Sequence, residues 1–526
     1  MLITTIAWLI APASILVGTL CVPDSWANCH VRLFRRDVTL LASLQLLVAI
    51  CGAVATISNL LPANHQTSST AVTNSLPLAT AVYYDGVACL MLGLVSFVGW
   101  VVCQYSIRYL DGDANQGRYF RWTAFTLGSV SLMIVSGNLL MFVATWIMTS
   151  LGLHQLLLHY GHRPAARRAA WTKFTISRVG DAALVAATVI IYDQFQTINF
   201  NELFIKARSL DLVTPWMQVA GFLLVAGAVT KSAQFPFHTW LPQTMETPTP
   251  VSALMHAGIV NAGGYLIIRT SPLIALTPWA LTAVAIIGGF TACFAAVVML
   301  TQTSIKKSLA YSTIAQMGFM LLQCGLGAFS AAMLHILAHS LYKAYAFLSS
   351  GSALSEPTIT STKSAVDHSS VAFRLVLVGS SLMGLLAFAL ALLGIDLIAK
   401  PGGFVLGGIL CFALTHWIGQ VMKAADRQLL VPALAMASTL CLVYAVSYFA
   451  VDKTISASLP ISAAPSLAGF VVAVVLVGFL GMGVLHLALA NERGRRVLTR
   501  WYIHASNGFY MESTLRRLLG PLAERY

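Results

Sequence analysis

Apolar segments of about twenty residues recur from one end of this 526-residue chain to the other. An α-helix rises about 1.5 Å per residue, so about twenty residues cross the roughly 30 Å hydrocarbon layer of a bilayer. Spacing and apolar content predict spans near 3–22, 38–61, 80–105, 122–137, 138–159, 172–192, 213–243 (broken), 249–268, 274–300, 306–325, 330–353, 372–398, 403–422, 429–450 and 464–490. Composition agrees, because only 9% of residues are charged and 58% are hydrophobic. Soluble domains carry about 25% charged residues. The expected fold is therefore an all-α polytopic membrane protein with about fifteen transmembrane helices. The longest polar loops, 62–79, 193–212 and 354–371, are too short to hold a soluble catalytic module.

A formal charge of +13 raises nucleic acid as a partner, but the basic residues fall in alternate loops. One side collects Arg32, Arg35 and Arg36; Arg108, Arg118 and Arg121; Arg163, Arg167, Arg168 and Lys173; Lys306 and Lys307; Lys363 and Arg374; Lys423 and Arg427; and a basic amphipathic tail from Arg493 to Tyr526. The other side holds Lys206, Arg208, Arg269, Lys400 and Lys453. The positive-inside rule then places the N-terminus outside and the C-terminus in the cytoplasm. Nine cysteines show no CxxC spacing and mostly sit in apolar runs, as buried thiols do. The first apolar run lacks the basic flank of a cleavable signal peptide.

Against this background the charged residues inside spans stand out. Lys231 lies deep in an apolar run that then meets Pro236, Pro242, Pro248 and Pro250. A lysine at the centre of a span costs roughly 2.5–3.5 kcal/mol on insertion scales. Proline leaves backbone carbonyls in need of other partners. Both costs in one stretch point to an ion path, with a lysine reaching for the cytoplasmic face as the alternative. Arg178 and Asp181, three residues apart, share a helix face and can pair. That pair either locks packing or acts as an electrostatic switch beside Lys231. His256 suits a proton relay by its titration range, or is a hydrogen-bonded core residue. His335, His339 and Lys343 recur at i, i+4 and i+8, one stripe along a helix. Two such histidines can also start a zinc site, but no HExxH glutamate or cysteine accompanies them, so no metal site is expected. Lys306 and Lys307 are channel-mouth residues or headgroup anchors. Asp396, Lys400 and His416 are candidates for an exit on the outer side.

The runs KSAQFPFHTWLPQTMETPTPVSALMHAGIVNAGGYLIIR, SRVGD (177–181), KKSLAYSTIAQMGFM (306–320) and HILAHSLYKAYAFLSSGS (335–352) resemble the antiporter-like proton-translocating subunits of respiratory complex I and of multisubunit sodium/proton antiporters. The resemblance is clear over about 80–355 and fades outward. It implies two inverted five-helix repeats with discontinuous helices and a central line of charged and histidine residues. An odd helix count inverts the second unit, as in many transporters. On that reading 1–121 holds three N-terminal helices, 122–270 and 271–424 the two repeats, 425–490 the last helices, and 491–526 the cytoplasmic tail. By residue match Lys231 is the central channel lysine. His256, His335, His339 and Lys343 fall on the connecting axis, with Arg178 and Asp181 as the family's charged pair.

One departure matters. The complex I pattern has a glutamate after the tryptophan of its fifth helix, and here Trp146 is followed by Ile147. Asp181 is the expected substitute partner for Lys231. The chain also stops soon after the last span, where complex I subunits have a long lateral helix. With the tail WYIHASNGFYME, these departures resemble the membrane subunits of DAB-type inorganic-carbon accumulation systems. That resemblance implies a bacterial inner-membrane subunit that conducts a cation, most simply a proton. It also implies a large soluble zinc-binding partner, similar to β-carbonic anhydrases, that hydrates CO2 to bicarbonate on the cytoplasmic face. No cofactor is then expected in this chain, and zinc belongs to the partner. The competing expectation is a subunit of a complex I-like oxidoreductase or sodium/proton antiporter. A passive membrane anchor with a vestigial path is the third.

Overall fold

The computed structural model describes residues 2–60, 82–210, 213–351, 368–395, 401–423, 429–460, 466, 468–490, 492–514 and 517, and these are helical almost throughout. In chain order the helices are α1 (Leu2–Cys21), α2 (Asp24–Cys29), α3 (Val31–Leu60), α4 (Gly86–Tyr109), α5 (Gln116–Val135), α6 (Leu139–Leu157) and α7 (Pro164–Phe195). There follow α8 (Phe200–Arg208), α9 (Pro215–Lys231), α10 (Trp240–Gln243), α11 (Thr249–Ala257), α12 (Ala262–Arg269), α13 (Ser271–Ile274) and α14 (Pro278–Met299). The chain closes with α15 (Ile305–Gly325), α16 (Phe329–Leu348), α17 (His368–Leu392), α18 (Pro401–Lys423), α19 (Leu430–Ile455), α20 (Ala468–Ala490) and α21 (Glu492–Ser506).

Among the described residues nine helices are long and apolar enough to cross a membrane: α3, α4, α6, α7, the α11–α12 pair, α14, α17, α19 and α20. The protein is thus a multi-pass membrane protein. The other six expected spans fall on α1, α5, α9, α15, α16 and α18. Of these, α5, α15 and α16 have 20, 21 and 20 residues. Their length suffices at about 1.5 Å per residue. Their Ser, Thr, Gln, Lys and His content lowers their hydropathy, and Thr313, Gln323, His335, His339 and Lys343 among them belong to the interior described below.

One apolar core runs from α1 to α16 and takes in the end of α19, and a second, smaller one joins α17, α18 and α19. α20 turns mostly outward and leans on α14. Helix α14 meets α15 so closely that Gly288 and Gly318 lie backbone to backbone, and a Cβ at either would strike the other helix. Small residues at such crossings are how helices approach each other in a bilayer.

Several boundaries differ from the sequence reading. α7 starts at Pro164, where proline's missing N–H costs a helix nothing. Arg167, Arg168 and Lys173 are therefore helical and not in a loop. Arg118 and Arg121 likewise belong to α5, where Arg121 pairs with Asp24 at 2.7 Å. Arg269, expected in an outer loop, is buried: its guanidinium pairs with Asp85 at 2.9 Å and donates to the Tyr265 hydroxyl at 3.1 Å. The loop at 62–79 and most of 354–371 lie outside the described residues.

Candidate functional site

The expected discontinuity is present and has identifiable causes. α9 ends at Lys231, Ala233 adopts a left-handed φ of 50°, and Pro236 cannot donate a hydrogen bond. Side chains take up several of the backbone groups freed here. The Gln234 amide donates to the Ser232 carbonyl at 2.8 Å, and the Phe235 N–H donates to Thr291 Oγ1 of α14 at 3.1 Å. Ser232 Oγ donates to the Val260 carbonyl at 2.7 Å, inside the second break between α11 and α12. There Asn261 Nδ2 donates to the Ala257 carbonyl at 2.8 Å and to Ser340 Oγ of α16 at 2.7 Å. A Cβ on Gly263 would collide with Ser232 and with the Ala228 carbonyl, so the two broken helices require glycine where they cross.

Lys231 occupies the last turn of α9, where a cation complements the helix dipole. It is only 5% exposed. Its ammonium donates to the Trp146 carbonyl at 3.1 Å and sits 4.5 Å from the centroid of the Trp146 ring. This corrects the expected direct pairing with Asp181: among the described residues no carboxylate lies within ion-pair distance of Lys231. Asp181 instead pairs with Arg178 at 2.6 Å, one turn along α7. Apart from that ion pair, neither Asp181 oxygen has a hydrogen-bond partner among the described residues. The Arg178 guanidinium also lies 4.7 Å from the Phe174 ring.

The second group gathers on α11, α15 and α16. His256 Nδ1 is 3.0 Å from Thr313 Oγ1, and its ring stacks on Phe347 at 4.2 Å. Lys343 is fully buried and donates to the Leu309 carbonyl at 3.1 Å. His335 Nδ1 is 3.1 Å from Gln323 Oε1, and its ring centroid is 6.0 Å from that of His339. The Nε2 atoms of His256 and His339 are buried without a hydrogen-bond partner among the described residues. Such atoms are where ordered water serves in interiors.

The three residues of the stripe and His256 are thus brought together, as Arg178, Asp181 and Lys231 are. Lys307 is exposed in the first turn of α15, and Lys306 is half-buried beside it. His416 is exposed on α18, with Gln420 at 3.2 Å. Asp396 and Lys400 lie outside the described residues. Among the described residues no three His, Cys, Asp or Glu side chains are placed to hold a metal ion.

The sequence reading missed two features. Lys173, assigned to a loop, is buried and donates to the Ser150 carbonyl at 2.7 Å and its hydroxyl at 2.8 Å. Its position near the end of a predicted span hid it. The second is the Ser232–Val260 and Asn261–Ser340 bonding that joins the two ionisable groups. An amide inside the apolar run GIVNAGG was its visible signal.

Broken helices that cross inside a bundle and carry a buried row of lysines and histidines define a class of membrane proteins that handle ions. Residues 136–401, just over half of the chain, match the family described as NADH:quinone oxidoreductase/Mrp antiporter, transmembrane. Residues 71–120 match the N-terminus of complex I chain 5. The chain belongs to this antiporter-like membrane family. It is 49% identical over 275 residues to a probable inorganic carbon transporter subunit DabB2 of Halothiobacillus neapolitanus, covering 52% of this chain and 50% of that one. It is 41% identical over 330 residues to a probable inorganic carbon transporter subunit DabB of Hydrogenovibrio crunogenus, covering 59% and 64%. The matched region therefore spans half to just under two thirds of these relatives. In fold it is similar to a chain of the Mrp complex from a Dietzia species, with a TM-score of 0.63 at 21% identity over 99% of this chain and 59% of that chain.

Proposed function

We propose that this chain is the cation-conducting membrane subunit of an inorganic-carbon accumulation system, and that the cation is a proton. The observation that carries the reading is Lys231, buried at a helix break on a neutral carbonyl while the nearby carboxylate is engaged by Arg178. Burial disfavours charge on a lysine and a close carboxylate favours it. Movement of Asp181 between Arg178 and Lys231 would therefore load and unload a proton. The proton would continue past Ser232 and Asn261 to His256, His339 and His335, with Lys343 opposing leak by like-charge repulsion. Names borne by the relatives support inorganic carbon as the driven process.

In this reading the fifteen expected helices all cross the inner membrane, two five-helix units are inverted relative to each other, and the C-terminus faces the cytoplasm. A soluble zinc-containing partner resembling β-carbonic anhydrases docks there and converts CO2 to bicarbonate as protons flow. The partner supplies the metal and the chemistry, and this chain supplies the coupling. Purification in mild detergent tests the assembly. One large zinc protein should accompany the chain, whereas several further membrane subunits would replace this reading with an oxidoreductase or antiporter. Lys231→Ala tests the path: the complex should assemble and lose uptake of inorganic carbon, and undiminished uptake would refute it.

A further inference from the structure

One face of α6 carries a second polar row that the path beyond Lys231 does not use. Trp146, Ser150 and His154 recur four residues apart and so stack along one side of the helix, at about 6 Å per step. Each meets a group from α7 or α9. The Lys231 ammonium sits on the Trp146 carbonyl at 3.1 Å, and that of Lys173 sits on the Ser150 carbonyl at 2.7 Å. His154 Nδ1 lies 3.2 Å from the Ala170 carbonyl. Two lysines are thus anchored one turn apart on the same helix, 2% and 5% exposed, and among the described residues Lys173 has no carboxylate within ion-pair distance.

Past His154 the row reaches water. α6 ends at Leu157, and His159 Nε2 is 3.3 Å from Asp113 Oδ2, to which the Tyr160 hydroxyl also donates at 3.3 Å. The His159 side chain is 2% exposed and that of Asp113 is 20% exposed. This end of the helix lies beside Arg163, on the face that carries the basic loops.

We infer that the Asp113–His159 pair, His154 and Lys173 form an inlet along α6 that delivers protons from the basic-loop face to Lys231. A proton taken up at the His159 imidazole passes to His154, then to the neutral Lys173 amine, then to the neutral Lys231 amine. Each donor loses one N–H and returns to its neutral form, the acceptor gains one N–H, and a bridging water forms one O–H as it breaks another. Steps of about one turn are within reach of a single bridging water. Two ammonium groups one turn apart repel in a dry bundle, so charging Lys173 favours release onward from Lys231. A purely structural donor to Ser150 would not need to be a lysine.

The inference rests on the proton-conducting reading, and the test separates the two. The complex, as it co-purifies, is reconstituted in phosphatidylethanolamine–phosphatidylglycerol vesicles loaded with a pH dye and driven by a valinomycin potassium potential. Lys173→Gln keeps donors for Ser150 without a charge, and Lys173→Arg keeps the charge without releasing a proton. Both should cut proton flux by about tenfold or more. Wild-type flux in either, with Lys231→Ala inactive, overturns the inlet and leaves the conducting reading standing. Wild-type flux in Lys231→Ala as well overturns the path through Lys231, and the absence of flux in the wild-type complex overturns the conducting reading. Should the Lys173 variants fail to assemble, His154→Gln decides: reduced flux supports the inlet, and full flux overturns it.

Discussion

The two buried ionisable groups are built differently. On α7 and α9, Lys173 and Lys231 rest on backbone carbonyls of α6, and Arg178 holds the one carboxylate, Asp181. On α11, α15 and α16, His256, His335 and Lys343 have hydroxyl, amide and carbonyl partners, and among the described residues neither they nor His339 pair with a carboxylate. A carboxylate that changes partner alters the energy of a nearby buried charge by several kcal/mol, because the surrounding dielectric is low. A row of imidazoles bonded to neutral groups has no such lever. It can pass a proton but does little to decide when. On the proposed path the first group would therefore gate and the second relay.

The largest expected effect breaks this comparison most directly. Lys231→Ala should lower proton flux about a hundredfold, because the proposed path runs through its amine. His339→Leu should lower it about tenfold, since His256 and His335 flank the lost group and water can bridge part of the gap. The dye-loaded vesicle assay reads both. Equal losses would mean that the histidine row controls flow as strongly as the lysine, and the division between gate and relay would fall.

The link between the groups gives a smaller effect. Asn261→Leu removes the bonds to Ala257 and Ser340 and buries the Ser340 hydroxyl without that partner. A buried group left unpaired costs about 1–3 kcal/mol. The expected outcome is a lower unfolding temperature in detergent together with reduced flux. Ser340→Ala in the same background should recover part of the stability and none of the flux. Recovery of both would show that Asn261 only braces the α11–α12 break.

How much of this was legible in the sequence depends on whether a property is local. Helix positions, the break after Lys231 and the stripe of His335, His339 and Lys343 follow from periodicity and proline. Each is set within a few residues, and the Arg178–Asp181 pair is equally local. Partners across helices were not legible. Lys231 looked as though it needed Asp181, but the fold offers the Trp146 carbonyl and ring first. Lys173 looked like a loop cation because α7 begins at Pro164, before its apolar run. Arg269 looked like an outer-face cation because Asp85, its partner, is 184 residues away. Charge placement in sequence marks what is costly to bury, and only packing shows how the cost is met.

The smallest effect concerns the water-touched pair where α6 ends, which has a carboxylate like the first group and a histidine like the second. Burial pushes His159 below its ordinary range, with Asp113 pulling the other way and Arg118 adding to the depression. Burial pushes Asp113 up, but the Asn115 N–H and the bonds from His159 and Tyr160 outweigh it and leave Asp113 below the usual carboxylate range. The ordinary values are about 6.5 for histidine and about 3.9 for aspartate. As pH falls through about 6.5, an unfolded chain takes up a proton at residue 159 and the folded chain does not, so stability is lost on acidification. Asp113 contributes in the same direction only at lower pH, near and below about 4. Between pH 7.5 and about 5.5 only the histidine of this pair contributes. His159→Gln should therefore flatten the pH dependence of the unfolding temperature by about 1–2 °C over that window. An unchanged slope would mean that the folded histidine takes up its proton as readily as the unfolded one, and that Asp113 holds it charged as a carboxylate in the gating group would.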